Sequence, residues 1–284
     1  MKYGFINKHR QEFCVKIMCS VMSVSRSGYY NWLKFKLGKR AIANMSLDKS
    51  IKSIFDAHKM RYGAPRITRA LKASGIYASL GRVARRMQIM KLKAVAKQKF
   101  KVTTDSQHAK PIYHNVLNRD FTTTAINQKW CSDISYIKTD EGWLYLAVII
   151  DLHSRAIIGW SMDKTMNQNL VCDALLMALF KRKLPVEVVV HSDRGSQYCS
   201  NKYRKLIADY KLIGSMSRRG NCWDNAIAES FFHTLKVELV HQCRYKTREI
   251  AKQSIFYYME GYYNRKRMHS AIDYMAPIEV ELAA

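Results

Sequence analysis

The 284-residue chain carries 48 Lys and Arg against 22 Asp and Glu, a net charge of +26, and 48% of its residues are hydrophobic. That length accommodates one substantial core with one or two smaller units, and the charge points to an anionic partner, with nucleic acid first. A membrane span and export are excluded on sequence grounds, because no apolar run approaches ~18 residues and the opening "MKYGFINKHRQEF" has no signal-peptide stretch.

The basic excess is uneven along the chain. Residues 1–118 hold 25 Lys/Arg against 4 Asp/Glu, which is +21, whereas residues 119–284 hold 23 against 18, which is +5. A basic arm that grips nucleic acid, joined to a separate working domain, is the expected organisation. Residues 9–36 read as helical, with "VMSVSRSGYYNWLKFK" giving a short helix, a turn and a second helix capped by Ser25 or Ser27. In "RYGAPRITRALKASGIYASLGRVARRM", Ile67, Ala70 and Leu71 keep helical spacing, Ser74 and Gly75 break it, and Leu80, Val83, Ala84 and Met87 resume it. This predicts a helix-turn-helix, with Arg66 and Arg69 on its first helix and Arg82, Arg85 and Arg86 on its second facing DNA. A small helical hairpin that merely packs would give the same pattern. Residues 1–90 are therefore a basic helical region, and residues 91–118 a basic linker suited to tracking a phosphate backbone.

Residues 119–240 change character. "QKWCSDISYIKT", "EGWLYLAVIIDLH" and "RAIIGWSM" predict three successive strands, and residues 167–182 an amphipathic helix. "VEVVVHSD" is the continuous apolar run of a strand covered on both faces. A helix at 201–210, a strand near 212–216 and a helix at about 224–240 complete an α/β unit with a mixed five-stranded sheet flanked by helices. Residues 241–284 form a helical extension.

Three carboxylates stand out by setting. Asp133 lies inside the first strand, Asp193 at the end of the buried strand and Glu229 in the late helix, with 59 and 35 residues between successive members. An aspartate in an apolar strand is costly to desolvate unless a positive charge meets it. Mg²⁺, or Mn²⁺, is a fitting counterpart, since such ions take oxygen ligands and are held by carboxylates together with substrate phosphates. Three carboxylates converging from two strands and a helix suit two ions per site and in-line displacement at a phosphodiester. A cap or a surface salt bridge is the ordinary role for each residue taken singly.

Glu229, His233 and Lys236 share one helical face. The preceding loop carries Arg218, Arg219, Asn221, Trp223 and Asn225, a mixture of basic, amide and aromatic groups suited to splayed DNA. Arg194 beside Asp193, and Arg265, Lys266 and Arg267 in "NRKRMH", complete the expected DNA contacts. Asp151, His153, His191 and His269 are read as capping, structural or DNA-facing groups, since Mg²⁺ prefers oxygen. The seven cysteines form no C-x-x-C pair, which points to reduced thiols in a cytoplasmic protein.

"HSDRGSQY", "SMSRRGNCWDNAIAESFFHTLKVE" and "YYNRKRMHSAIDYMAP" resemble the signature blocks of OrfB-type transposases of bacterial insertion sequences, the IS-three family within the DDE integrase superfamily. "SVSRSGYYNWLK" and "RYGAPRITRAL" extend the resemblance over essentially the whole chain. It implies an RNase H-like, retroviral-integrase-type core in which Asp133, Asp193 and Glu229 take the acidic-triad positions. It also implies the reaction: water cleaves at the element's end and the freed 3′-hydroxyl attacks a second phosphodiester. Terminal inverted repeats and target DNA are then the expected partners, within a homo-oligomer on DNA and with an upstream-frame protein or frameshift fusion. The competing readings are a DNA-binding regulator without catalysis and an RNase H-like nuclease that hydrolyses without joining.

Overall fold

A computed structural model describes residues 1–34, 38–95, 111–218 and 222–284. The sheet is built on two long strands, β1 (Lys129–Thr139) and β2 (Gly142–Asp151), paired antiparallel through a two-residue turn that closes on Gly142 at φ +112°. Strand period assigns the faces of β2. Leu144, Leu146, Val148 and Ile150 pack into one core cluster, and Ala147 and Ile149 into the other. The strand is buried on both sides, which explains its nearly unbroken apolar sequence.

β3 (Ile157–Asp163) pairs antiparallel with β2, while β4 (Val189–Ser192) and β5 (Ile213–Met216) add in parallel beyond β1, giving the order β3-β2-β1-β4-β5. One face is covered by α7 (Gln168–Lys181) and α8 (Asn201–Asp209), through Leu170, Leu175, Leu179, Tyr203 and Ile207. The approach is close at Gly159, where an added Cβ would stand 2.2 Å from the Ala174 carbonyl oxygen, so β3 and α7 touch through a residue without a side chain.

The other face is covered by α9 (Ala226–Glu238) and α10 (Arg248–Phe256), the latter running on through a π-helical stretch, Tyr257–Tyr263. Phe231, Phe232, Leu235, Ile255, Tyr258, Tyr262 and Tyr263 supply this second core. Phe256 and Tyr257, beside them in the chain, stay outside it, 49% and 64% exposed. The terminal helix, Pro277–Ala283, is tied back by Glu281, which accepts hydrogen bonds from Arg182 and Ser154.

Two helical units precede the sheet. The first joins α1 (Lys2–Lys8), α2 (Val15–Val21) and α3 (Arg26–Lys34) around Ile6, Met18, Cys19 and Tyr29, and Ser25 rather than Ser27 caps α3, its Oγ accepting from Gly28 N at 2.9 Å. The second packs α4 (Lys39–Ala57), α5 (Ala64–Ala73) and α6 (Leu80–Ile89) around Leu47, Ile51, Phe55, Ile67, Leu71, Val83 and Met87. Ile67, Leu71, Val83 and Met87 are the buried positions that helical spacing predicts, whereas Leu80 is 51% exposed. Gly75, at φ +77°, makes the turn between α5 and α6.

This second unit is docked on the sheet domain. Tyr62 donates to the Lys266 carbonyl and accepts from Met268 N, both at 3.0 Å, and Arg66 Nε donates to the Met268 carbonyl at 3.0 Å. Part of the expected linker, residues 96–110, lies outside the described residues. The described cysteines are free thiols, and among the described residues no helix is long and apolar enough to cross a membrane.

Candidate active site

Strand register brings the first two carboxylates together. β1 and β4 run parallel with Cys131 opposite His191, so Asp133, two residues further along β1, and Asp193, just past the end of β4, emerge at the same end of the pair. Cys131 and Ile137 on β1 face the α9 side, and Asp133 shares their parity, which points its carboxylate at the helix carrying Glu229. Three distant segments thus deliver acidic groups to one end of the sheet, at the carboxyl end of β4.

The electrostatics register that convergence. Asp133, half-buried, is held well above the usual carboxylate range, first by desolvation, then by the Asp193 charge, with Glu229 adding to the effect. Glu229, exposed on the first turn of α9, is raised by desolvation and by Asp193. Ile134 N donates to Asp133 Oδ1 at 2.8 Å and Gly195 N to Asp193 Oδ1 at 2.9 Å, which fixes one oxygen of each. Among the described residues, however, no three His, Cys, Asp or Glu side chains stand close enough together to enclose one metal ion. The carboxylates are electrostatic neighbours that do not meet at a point.

The donor chemistry fits a hard divalent cation. All three groups are oxygen donors, and burial first, with the Asp193 charge second, disfavours the bare anions of Asp133 and Glu229 unless positive charge meets them. Lys236 offsets part of that repulsion. It is only 8% exposed, its Nζ lies 5.0 Å from the centre of the Tyr136 ring, and its charge lowers the Asp133 pKa while desolvation lowers its own. Lys236 therefore faces the acidic cluster rather than solvent. His233, one turn from Glu229, is half-buried between two clefts along α9.

The residues expected to touch DNA divide by environment. Arg69, Arg85, Arg265, Lys266 and Trp223 are exposed, Trp223 to 69%. Arg86 is paired with Asp48 and Arg82 donates to Asn44 Oδ1 at 2.9 Å, so both arginines also hold α6 against α4. Arg194 Nε donates to the Ser217 carbonyl at 2.7 Å. Arg219 and Asn221 lie outside the described residues.

Two of the expected contacts are instead engaged inside the protein. Arg267 is buried, with Nε and Nη2 donating to Glu238 at 3.1 and 2.9 Å, because its apolar surroundings admit a guanidinium only with a matching carboxylate. Asn225 is 4% exposed, and its Nδ2 donates to the Ser132 carbonyl at 3.1 Å. The set-aside groups have structural partners: Asp151 accepts from the backbone N of Asn127 and His153, both at 2.8 Å, as a turn cap, and His191, bonded to Ser215 and Ser217, is pushed down to about 4 by burial.

Sequence reasoning missed Asp224. Fully buried, it accepts from Asn115 Nδ2 at 3.0 Å, from Arg119 Nε at 2.8 Å, and from the Arg218 backbone N and Nε at 2.9 Å each, so it fastens the loop that leads into Glu229. An acidic residue just before an amphipathic helix was the available signal.

Comparison with known proteins places these features in context. Residues 123–222 match the family model described as "Integrase core domain", residues 229–281 a second of the same description, and residues 43–100 an "HTH-like domain". The chain is 46% identical over 283 residues to transposase InsF for insertion sequence IS3A of Escherichia coli (strain K12), covering 99% of this chain and 98% of that protein. It is 41% identical over 260 residues to an uncharacterized 31 kDa protein of insertion element IS600 from Shigella sonnei, covering 92% and 96%. Among solved structures, the HTLV-2 integrase catalytic core domain in complex with magnesium (dimeric form) aligns at 16% identity and a TM-score of 0.41, over 55% of this chain and 96% of that one. A simian T-cell lymphotropic virus intasome chain, in complex with PP2A regulatory subunit B56 gamma, aligns at 14% identity and 0.47, over 75% and 69%.

Proposed function

The chain belongs to the IS3 family of insertion-sequence transposases, a DNA-transposing group with an integrase core, and from that premise we propose that Asp133, Asp193 and Glu229 are its catalytic carboxylates. The observation that carries this reading is the convergence of acids from β1, the end of β4 and α9, near enough for the Asp193 charge to act on both Asp133 and Glu229. Three carboxylates delivered from two strands and a helix suit a pair of Mg²⁺ or Mn²⁺ ions, which take oxygen ligands from the protein and from substrate phosphates. When bound, the ions supply charge neutralisation at the scissile phosphate and acidify the attacking hydroxyl.

The chain's own residues do the rest. Gly195 N and Ile134 N each hold one carboxylate oxygen, of Asp193 and of Asp133, and so orient the two groups. Lys236 keeps a positive charge beside Asp133, which limits protonation of the cluster at neutral pH. Trp223, exposed at the entrance to α9, offers a ring on which an unpaired base stacks next to Glu229. The helix-turn-helix unit and the exposed Arg85 and Arg69 hold the element's terminal repeats by backbone charge. Coordinated joining needs two ends held at once, so we read the working form as a homo-oligomer on DNA, with an upstream-frame protein or frameshift fusion as a further partner.

Incubating the chain, and its fusion to the upstream frame, with labelled terminal-repeat DNA and Mg²⁺ or Mn²⁺ tests this. Nicked and joined strands are expected, abolished by chelation. Hydrolysis without joining would indicate a nuclease, and binding without any cut strand a regulator.

A further inference from the structure

Between the helix-turn-helix unit and the sheet domain lies a cleft of about 650 Å³ that runs along α9 beside the face carrying Glu229. Four guanidinium groups, Arg61, Arg66, Arg155 and Arg267, line it against a single carboxylate, Glu238. Three of them have partners. Arg267 is paired with Glu238, Arg66 donates to the Met268 carbonyl and lies 3.8 Å from Glu238, and Arg61 donates to the Glu238 carbonyl at 3.2 Å.

Arg155 differs. The turn between β2 and β3 presents it at φ +64°, a backbone conformation that β-carbon residues seldom adopt. Its Nε is buried without a hydrogen-bond partner, and its guanidinium forms no ion pair among the described residues. A half-buried guanidinium in that state is costly unless an acceptor arrives. Nearby groups register the positive field: His269 is driven far below its ordinary pKa by burial and by Arg267, Arg66 and Arg155, and His58 is lowered by burial, Lys266, Arg61 and Arg66.

We propose that this cleft is a DNA-backbone site in which Arg155 receives a phosphodiester of the strand that continues past the scissile bond, with Arg61 and Arg66 flanking it. The proposal rests on the reading of the core as a DNA strand-transferase, since the cleft joins the two DNA-acting units and shares α9 with Glu229. A phosphate there completes the hydrogen bonding of Arg155 and fixes the angle between terminal-repeat binding and the carboxylates.

The test measures binding rather than chemistry, using the full chain with Glu229→Gln so that no strand is cut. Affinity for terminal-repeat DNA is followed against salt, with single phosphates neutralised in turn as methylphosphonates. Arg155→Gln should lower the slope of log affinity on log salt by about one, the share of one phosphate contact. It should also erase one peak of the neutralisation profile next to the scissile position and leave the others. Ser230→Glu, which sets a carboxylate on an exposed position of the cleft wall without removing a partner, should produce the same two changes and decides the matter if Arg155→Gln fails to fold. Equal slopes and an unaltered profile would overturn the proposal. A lost peak in a chain whose unaltered form joins no strands would keep this site and refute the catalytic reading instead.

Discussion

Asn225 Nδ2 donates to the Ser132 carbonyl at 3.1 Å, joining the start of the helix that carries Glu229 to the strand that carries Asp133. The bond is buried, and Asn225 occupies the junction between the 3-10 turn Cys222–Asn225 and α9. It ties together the two elements that carry Asp133 and Glu229.

Asn225→Ala is therefore expected to act on geometry. Strand cutting should fall about tenfold or more, since small misplacements of reacting groups are expensive, while DNA affinity stays level. Raising Mg²⁺ should restore part of the rate, because a splayed site binds its ions more weakly. Unchanged metal dependence together with unchanged rate would remove Asn225 from any positioning role.

Asp133 should cost the metal-free protein stability. Its folded pKa is raised, so the penalty is absent below the ordinary carboxylate value of 3.8, accumulates as pH rises toward the folded value, and is complete above it. Asp133→Asn should accordingly raise the Tm in chelator at pH 7. About 1 kcal/mol would appear as about 2 to 4 °C. Divalent ions should raise the Tm of the unaltered chain and leave that of the variant nearly fixed. A lower Tm for Asp133→Asn in chelator would contradict the strained-carboxylate account.

Asp224 has the opposite sign. The Arg218 guanidinium, aided by Arg119, holds its carboxyl far below the ordinary range, so its contribution is present above about pH 4 and is lost as pH falls further. Asp224→Asn should destabilise by about 1 kcal/mol at pH 7, the low end for a buried charged hydrogen bond, because Arg218 and Arg119 are each nearly half exposed. Urea unfolding at pH 7 and pH 3 checks this, and the gap between variant and unaltered chain should narrow in acid. A constant gap would assign the effect to packing.

Much of this was legible in residue order. The alternation along β1, the apolar run of β4 and the helical spacing of Ile67, Leu71, Val83 and Met87 marked the elements, because burial selects side chains locally. Asp133 and Asp193 could be singled out since a carboxylate in an apolar strand is conspicuous. Long-range pairing was not legible. Nothing in "NRKRMH" tells that Arg267 turns inward to Glu238, 29 residues earlier, while Arg265 and Lys266 face solvent. Composition reports how many charges a segment carries, and only tertiary packing decides which of them are neutralised inside the protein. The role of Asp224 was hidden for the same reason, since Asn115 and Arg119 are 109 and 105 residues away.

The central claim is that three acids, one each from β1, the end of β4 and α9, work as a single unit on a phosphodiester. The most direct measurement compares Asp133→Asn, Asp193→Asn and Glu229→Gln for strand cutting and joining on terminal-repeat DNA with Mg²⁺, alongside DNA affinity in the same samples. Each variant should lose both reactions while binding DNA as well as, or better than, the unaltered chain. Full activity in any one of the three would contradict the account.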